Sequence, residues 1–167
     1  MITPAHAQLM ARYNTWQNRS LYGAADTLND DARHQDRGAF WGSIHGTLSH
    51  VLWGDQIWMS RFAGTEAPPT HNQPHSVPNL ASWQDLKSAR ISFDETIETW
   101  SVGLTEAWLG ADLTWYSGAA EREVTKPAWL LDTHFLNHQT HHRGQVHCML
   151  TQTGTKPDDT DLFFLPD

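Results

Sequence analysis

One cysteine, Cys148, is the only thiol in this chain of 167 residues, so no internal disulfide can form and a reducing compartment is expected. Long apolar runs are missing too: no stretch approaches the roughly 18 consecutive apolar residues of a membrane-spanning helix. The N-terminal MITPAHAQLMARYNTW has no basic region followed by an apolar run of signal-peptide length, and a cytoplasmic location is the expectation. Positive charge is scarce. Eleven Lys and Arg stand against 19 Asp and Glu, a formal net charge of −8. That balance repels phosphate backbones and anionic lipid over about a Debye length, roughly 8–10 Å. Neither nucleic acid nor a membrane surface is expected as a partner.

Aromatic residues and histidine are what the chain has in excess. Nine Trp, six Phe and three Tyr accompany a mean hydropathy of −0.54, so the apolar residues must be gathered on particular faces. The length suits a single domain over 1–167 with a core of its own. Four of the eleven histidines, His134, His138, His141 and His142, crowd into one short segment, with His147 just beyond.

Helix signals divide the chain. Thr3-Pro4 reads as an N-cap followed by proline at the first helical position, opening a helix to about Thr27. The polar NDDARHQDRG is a connector. From about Gly42, Ile44, Leu48, Val51, Trp58 and Phe62 recur at helical spacing and end at Gly64, a second amphipathic helix. Pro68, Pro69, Pro74 and Pro78 forbid helix and mark a long loop. Ser82-Trp-Gln-Asp85 resembles a capping box and opens a third helix reaching roughly Leu104 or Leu109. Between Gly110 and Lys126, Leu113 to Tyr116, a Ser-Gly pair and Val124 could form a small β-hairpin. Pro127 opens a fourth helix that runs to about Gln152 and stops at Gly154. The fold class is therefore all-α, a four-helix bundle with a Pro-rich loop and a small hairpin before the last helix.

On a wheel of about 100° per residue, His142 and His134 fall roughly 40° to either side of His138. Leu131, Phe135, Gln145 and Met149 share that stripe, so it faces the core. His147 points about 180° away and His141 sits at the stripe's edge. Burying two unpaired imidazoles costs on the order of several kcal/mol, and a shared cation relieves both. HxxxH on one helix brings two ring nitrogens to one point. The wheel alone allows either His134 with His138 or His138 with His142.

The second helix offers a third ligand. His50 is flanked by Ser43, Gly46, Thr47 and Gly54, all small, which leaves room before its ring or lets helices pack closely. Three imidazoles from two helices would leave a coordination position for water or substrate, as in catalytic sites. His45 lies about 140° from His50 and is outside this set. Asp55 falls on the apolar side, where it could orient a ligand histidine, pair with Arg143 or make a buried structural hydrogen bond. Asn14 or Asn18 of the first helix could also reach the site. Trp53 is a candidate wall of the pocket, and Tyr116 a candidate polar group over its open face.

SIHGTLSHVLWGDQIW on the second helix and HFLNHQTHHRGQVHCML on the fourth resemble the DinB family, the DinB/YfiT-like superfamily of metalloenzymes. YNTWQN near the start and DDTDL near the end extend the resemblance over nearly the whole chain, and NHxxHHRGQ is its most specific part. The resemblance implies a four-helix bundle, often a homodimer, with one divalent metal ion, zinc or nickel, held by His50, His138 and His142. It places His142 rather than His134 in the pair, directly before Arg143-Gly144-Gln145. It further implies a thiol-dependent transferase that takes a low-molecular-weight thiol; His134 and Gln145, which share the stripe on the wheel, are candidates for the pocket beside the ligands. The same ion could instead activate water, making a hydrolase, or serve a protein that binds metal or ligand without turnover.

Overall fold

The computed structural model describes residues 2–68, 82–118 and 120–166. Four long helices form the body: α1 (Pro4–Asp26), α3 (Ile44–Ala63), α4 (Trp83–Val102) and α6 (Ala128–Gln152). Two short helices, α2 (Asp30–His34) and α5 (Glu106–Gly110), and an antiparallel hairpin, β1 (Asp112–Ser117) with β2 (Arg122–Pro127), lie between them. Neighbouring pairs are α1 with α4, α4 with α3, α3 with α6 and α6 with α1, closing a four-helix bundle.

Caps set the helix ends. Thr3, Ser43 and Ser82 each accept a hydrogen bond from the backbone N–H three residues on, satisfying a donor the first turn leaves open. Ser82 also donates to Asp85, so its bond with the third residue is reciprocal through the side chains. Gly64 ends α3 at φ 66°, a left-handed conformation that glycine adopts without a Cβ clash. The third helix stops at Val102; Thr105 caps the separate α5, so the expected continuation to Leu109 is broken at Gly103. Asn29 likewise caps α2 inside what reads as a connector. The hairpin forms where expected, and Pro127 precedes α6 rather than beginning it. Ala128 donates to the Ala111 carbonyl at 2.8 Å, tying the start of α6 to the start of the hairpin.

Side-chain pairings fix the directions. Asn18 meets Asp94 and Asp26 meets Lys87, so α1 and α4 are antiparallel. Asp55 meets Arg90 and Phe62 meets Trp100, so α3 and α4 are parallel. Helix α6 runs against α3 and with α1. The expected Pro-rich loop falls between α3 and α4; its positions 69–81 lie outside the described residues.

Two apolar clusters fill the bundle. One gathers Leu21, Tyr22, Ile44, Leu48, Leu52, Trp83, Leu86, Val146 and Leu150. The other gathers Met59, Phe62, Ile97, Leu131, Phe135 and Leu136, with Trp58, Trp100, Trp108 and Trp115 packed against it. Each such side chain contributes about 1.5–3 kcal/mol by leaving water. Between the clusters lies a layer of buried polar groups from all four long helices: Asn14, Asn18, Asp55, Arg90, Asp94, Gln139 and Arg143. Among the described residues, no helix is long and apolar enough to cross a membrane.

Candidate metal centre

Antiparallel packing of α3 on α6 brings His50 to His138 and His142. The His50 and His138 Nε2 atoms are 3.1 Å apart, and the His142 ring lies 4.7 Å from His50 and 4.6 Å from His138, centroid to centroid. One potential ligand atom from each of the three lies within 4.8 Å of the others. Gln145, one turn beyond His142, accepts from His142 Nδ1 at 2.8 Å, which leaves Nε2 free to face the cluster. His134 is one turn too far: its ring stands 5.9 Å from His138 and packs on Trp58 at 5.1 Å. Of the two pairings open on the wheel, the structure brings His138 and His142 to His50.

Two glycines make these approaches feasible. A Cβ on Gly54 would sit 2.8 Å from His138 Cε1, so that ring occupies the space a side chain would take. The room noted before His50 is thus filled by His138 itself. A Cβ on Gly46 would come 2.4 Å from the Trp41 carbonyl oxygen. The loop ahead of α3 therefore lies against the helix, and the Trp41 indole stacks on His50 with centroids 3.9 Å apart. Trp53 also stands beside His50, with ring centroids 5.9 Å apart, as a wall residue would.

Electrostatics keep the rings neutral. Burial, followed by the neighbouring histidines, lowers the pKa of His50 to about 3 and that of His138 to about 4. Burial also lowers His142, against the Gln145 bond, which raises it. Neutral imidazole is the form that binds metal. A single shared proton satisfies the His50–His138 pair but leaves out the third nitrogen, whereas a divalent ion accepts from all three. The buried donor set thus fits such an ion: metal–nitrogen distances of about 2.0–2.1 Å place ligand atoms up to ~4.2 Å apart, so atoms that already lie within 4.8 Å of one another close on it with a small side-chain shift.

Of the readings open for Asp55, the structure shows the buried structural hydrogen bond, accepted from Arg90 of α4 at 2.6 Å. Pairing with Arg143 and orientation of a ligand histidine are not formed among the described residues, and other expectations need correction. The charged partner came from α4, whose phase relative to α3 depends on packing. Asn14 bonds Gln139 and Arg143, and Asn18 bonds Asp94, so both belong to the polar layer. Tyr116 is 66% exposed on the outward face of β1. Its neighbour Trp115 turns inward instead, onto Trp58 at 5.6 Å. His141 is exposed beside His142, and His147 lies toward α1, lining a cavity with Tyr13 and Arg143. Trp41 and Trp115 were not singled out from sequence; the alternation of β1, with Leu113 and Trp115 on one face, was the available signal for the second.

The DinB family model matches residues 1–167. The chain belongs to the DinB family. A relative, Protein DinB of Bacillus subtilis (strain 168), is 25% identical over 150 residues, covering 89% of this chain and 87% of that protein. In this DinB family member a three-histidine group is placed where it could hold a metal ion.

Proposed function

We propose that this chain is a metal-dependent enzyme in which His50, His138 and His142 hold one divalent ion, zinc or nickel, and that it transfers a low-molecular-weight thiol to an electrophilic small molecule. The observation that carries the reading is the group of three neutral imidazoles, from two helices, with their nitrogens turned to one point. Three protein ligands leave a position for substrate. When bound, such an ion lowers the pKa of a coordinating thiol and presents it as the thiolate nucleophile. The chain's own groups do the rest. Gln145 holds the proton on His142 Nδ1 and so orients Nε2. Trp41 and Trp53 pack on His50 and help keep it buried. The thiolate sulfur would bond to the electrophilic carbon, while the leaving group or added electron pair takes up the proton the thiol released.

The test loads purified protein with zinc or nickel and offers low-molecular-weight thiols with electrophilic acceptors. Metal-dependent conjugation is expected, with ester and amide panels silent; activity confined to the ester and amide panels would replace the transferase by a hydrolase. We also propose a cytoplasmic homodimer of single-domain chains that does not bind nucleic acid. Sedimentation should give twice the chain mass, and the net charge of −8 should leave duplex DNA unbound at physiological salt.

A further inference from the structure

Along α3, residues His50, Gly54 and Arg61 fall within about 40° of one another on the wheel. The stripe that carries His50 and seats His138 on Gly54 therefore continues to Arg61, about 16 Å further along the axis. On the facing helix the corresponding stripe runs from His142 through His138 to His134. Between them, Trp58 packs on His134, and Trp115 of the hairpin packs on Trp58.

Arg61 ends this stripe in an unusual setting. Its guanidinium carbon lies 4.6 Å from the Trp58 ring centroid and 5.6 Å from that of Trp115. Two indole faces thus hold the plane, which removes much of the rotational freedom of a long side chain. The described carboxylates that form ion pairs are taken by Arg33, His34, Lys87 and Arg90, and none lies within pairing distance of Arg61. The side chain is half-buried, and burial lowers its pKa, so its charge is less screened than that of a surface arginine. In a chain of net charge −8, a fixed cation without a carboxylate marks a place for an anion brought from outside.

We propose that Arg61 is the anion-recognition residue of the metal centre, selecting substrates that carry a carboxylate some two to three helical turns from the atom that meets the metal. This rests on the metal reading of the three histidines, but not on the identity of the reaction. Trp58, Trp115 and His134 pack on one another between the two ends, so an occupant that runs past them would meet ring faces and suit an apolar or planar middle. The site thus selects a small, elongated acid with a metal-seeking head.

The test uses the full chain loaded with cobalt(II), titrated with mercaptopropionate, mercaptohexanoate and mercaptooctanoate and with the corresponding amides, and read by thiolate-to-cobalt absorption. Thiolates bind cobalt whatever the natural substrate. Acid should bind about tenfold or more tightly than amide for the chains long enough to reach, and only weakly so for mercaptopropionate. Arg61→Gln should abolish the acid preference, leaving cobalt content and amide affinity as they were, and Arg61→Lys should keep part of it. Equal affinity for acid and amide at every length, or a preference that survives Arg61→Gln, would overturn the assignment of Arg61 alone. A chain that takes up no cobalt would overturn the metal reading and this proposal with it.

Discussion

Gly54 matters through what it lacks. A methyl group there would meet His138 Cε1 at 2.8 Å, yet alanine favours a helix interior over glycine by about 1 kcal/mol. Gly54→Ala should therefore separate binding from folding: metal content measured after gel filtration drops sharply, while the melting temperature in chelator holds or rises. A fall in the chelated melting temperature would mean the glycine serves helix packing and not the histidine. Gln145 acts at longer reach, through His142 Nδ1. Its replacement by Ala should weaken metal affinity about 10–100-fold, less than loss of His50, His138 or His142, each of which removes a ligand. His134→Ala, one turn away on Trp58, should leave metal content near wild type. If occupancy survives loss of His142 but not of His134, the ligand pair is misassigned by one turn.

At the scale of the element, α6 presents the histidines on one side and a buried polar line on another, and Asp132 lies on the second. It is fully buried, with neither carboxylate oxygen bonded among the described residues, and burial pushes its pKa up to about 7. An acid whose pKa is raised by folding holds its proton more tightly in the native state. Its destabilising effect is absent below the unfolded value near 4, grows as pH rises toward 7 and is complete above it. Asp132→Asn, neutral throughout, should match wild type near pH 4 and exceed it by roughly 2–4 kcal/mol at pH 8 in urea unfolding; a difference that does not change with pH would refute this. Nothing in the one-dimensional pattern flags Asp132, because one carboxylate in a helix reads as a solvated position until a neighbour covers it. What the pattern does carry is phase within a helix. Placing His134, His138 and His142 on one inward stripe needed only the helical period, His50 stood out by its small neighbours Gly46, Thr47 and Gly54, the choice of His142 over His134 came from the family resemblance, and the ends of α1, α3 and α6 needed only caps and glycines. What it does not carry is phase between helices or the reach of a loop. Arg90 could not be matched to Asp55, nor Trp41 to His50, and Tyr116 and Trp115 could be told apart only once β1 had an inside.

At the scale of the molecule, the two apolar clusters are joined by a polar layer whose charges must balance within the bundle. Arg90 is 2% exposed and touches Asp55 at 2.6 Å and Asp94 at 2.8 Å. Burial alone would lower its pKa, but the two carboxylates outweigh burial and raise it, so Arg90 is firmly cationic. Burial likewise pushes Asp55 up, to about 6, against the pull of Arg90, so at pH 7 the pair remains ionised. Arg90→Met keeps a similar stem and removes the cation from between two buried carboxylates. Breaking a buried pair from one side costs about 3–5 kcal/mol, a large share of the roughly 5–15 kcal/mol that holds a domain folded. The loss should also depend on pH in a set direction. Without Arg90, both carboxyl pKa values rise further in the native state, so the deficit against wild type is largest at pH 7 and above. It narrows as pH falls through about 6, the native value of Asp55, and is smallest near pH 4, where both raised acids hold their protons in the folded state of either protein. Urea unfolding of the two proteins between pH 4 and pH 8 reads this directly. A deficit that stays constant across the range would mean that Arg90 contributes through its packed stem, and that the polar layer is not held together by charge.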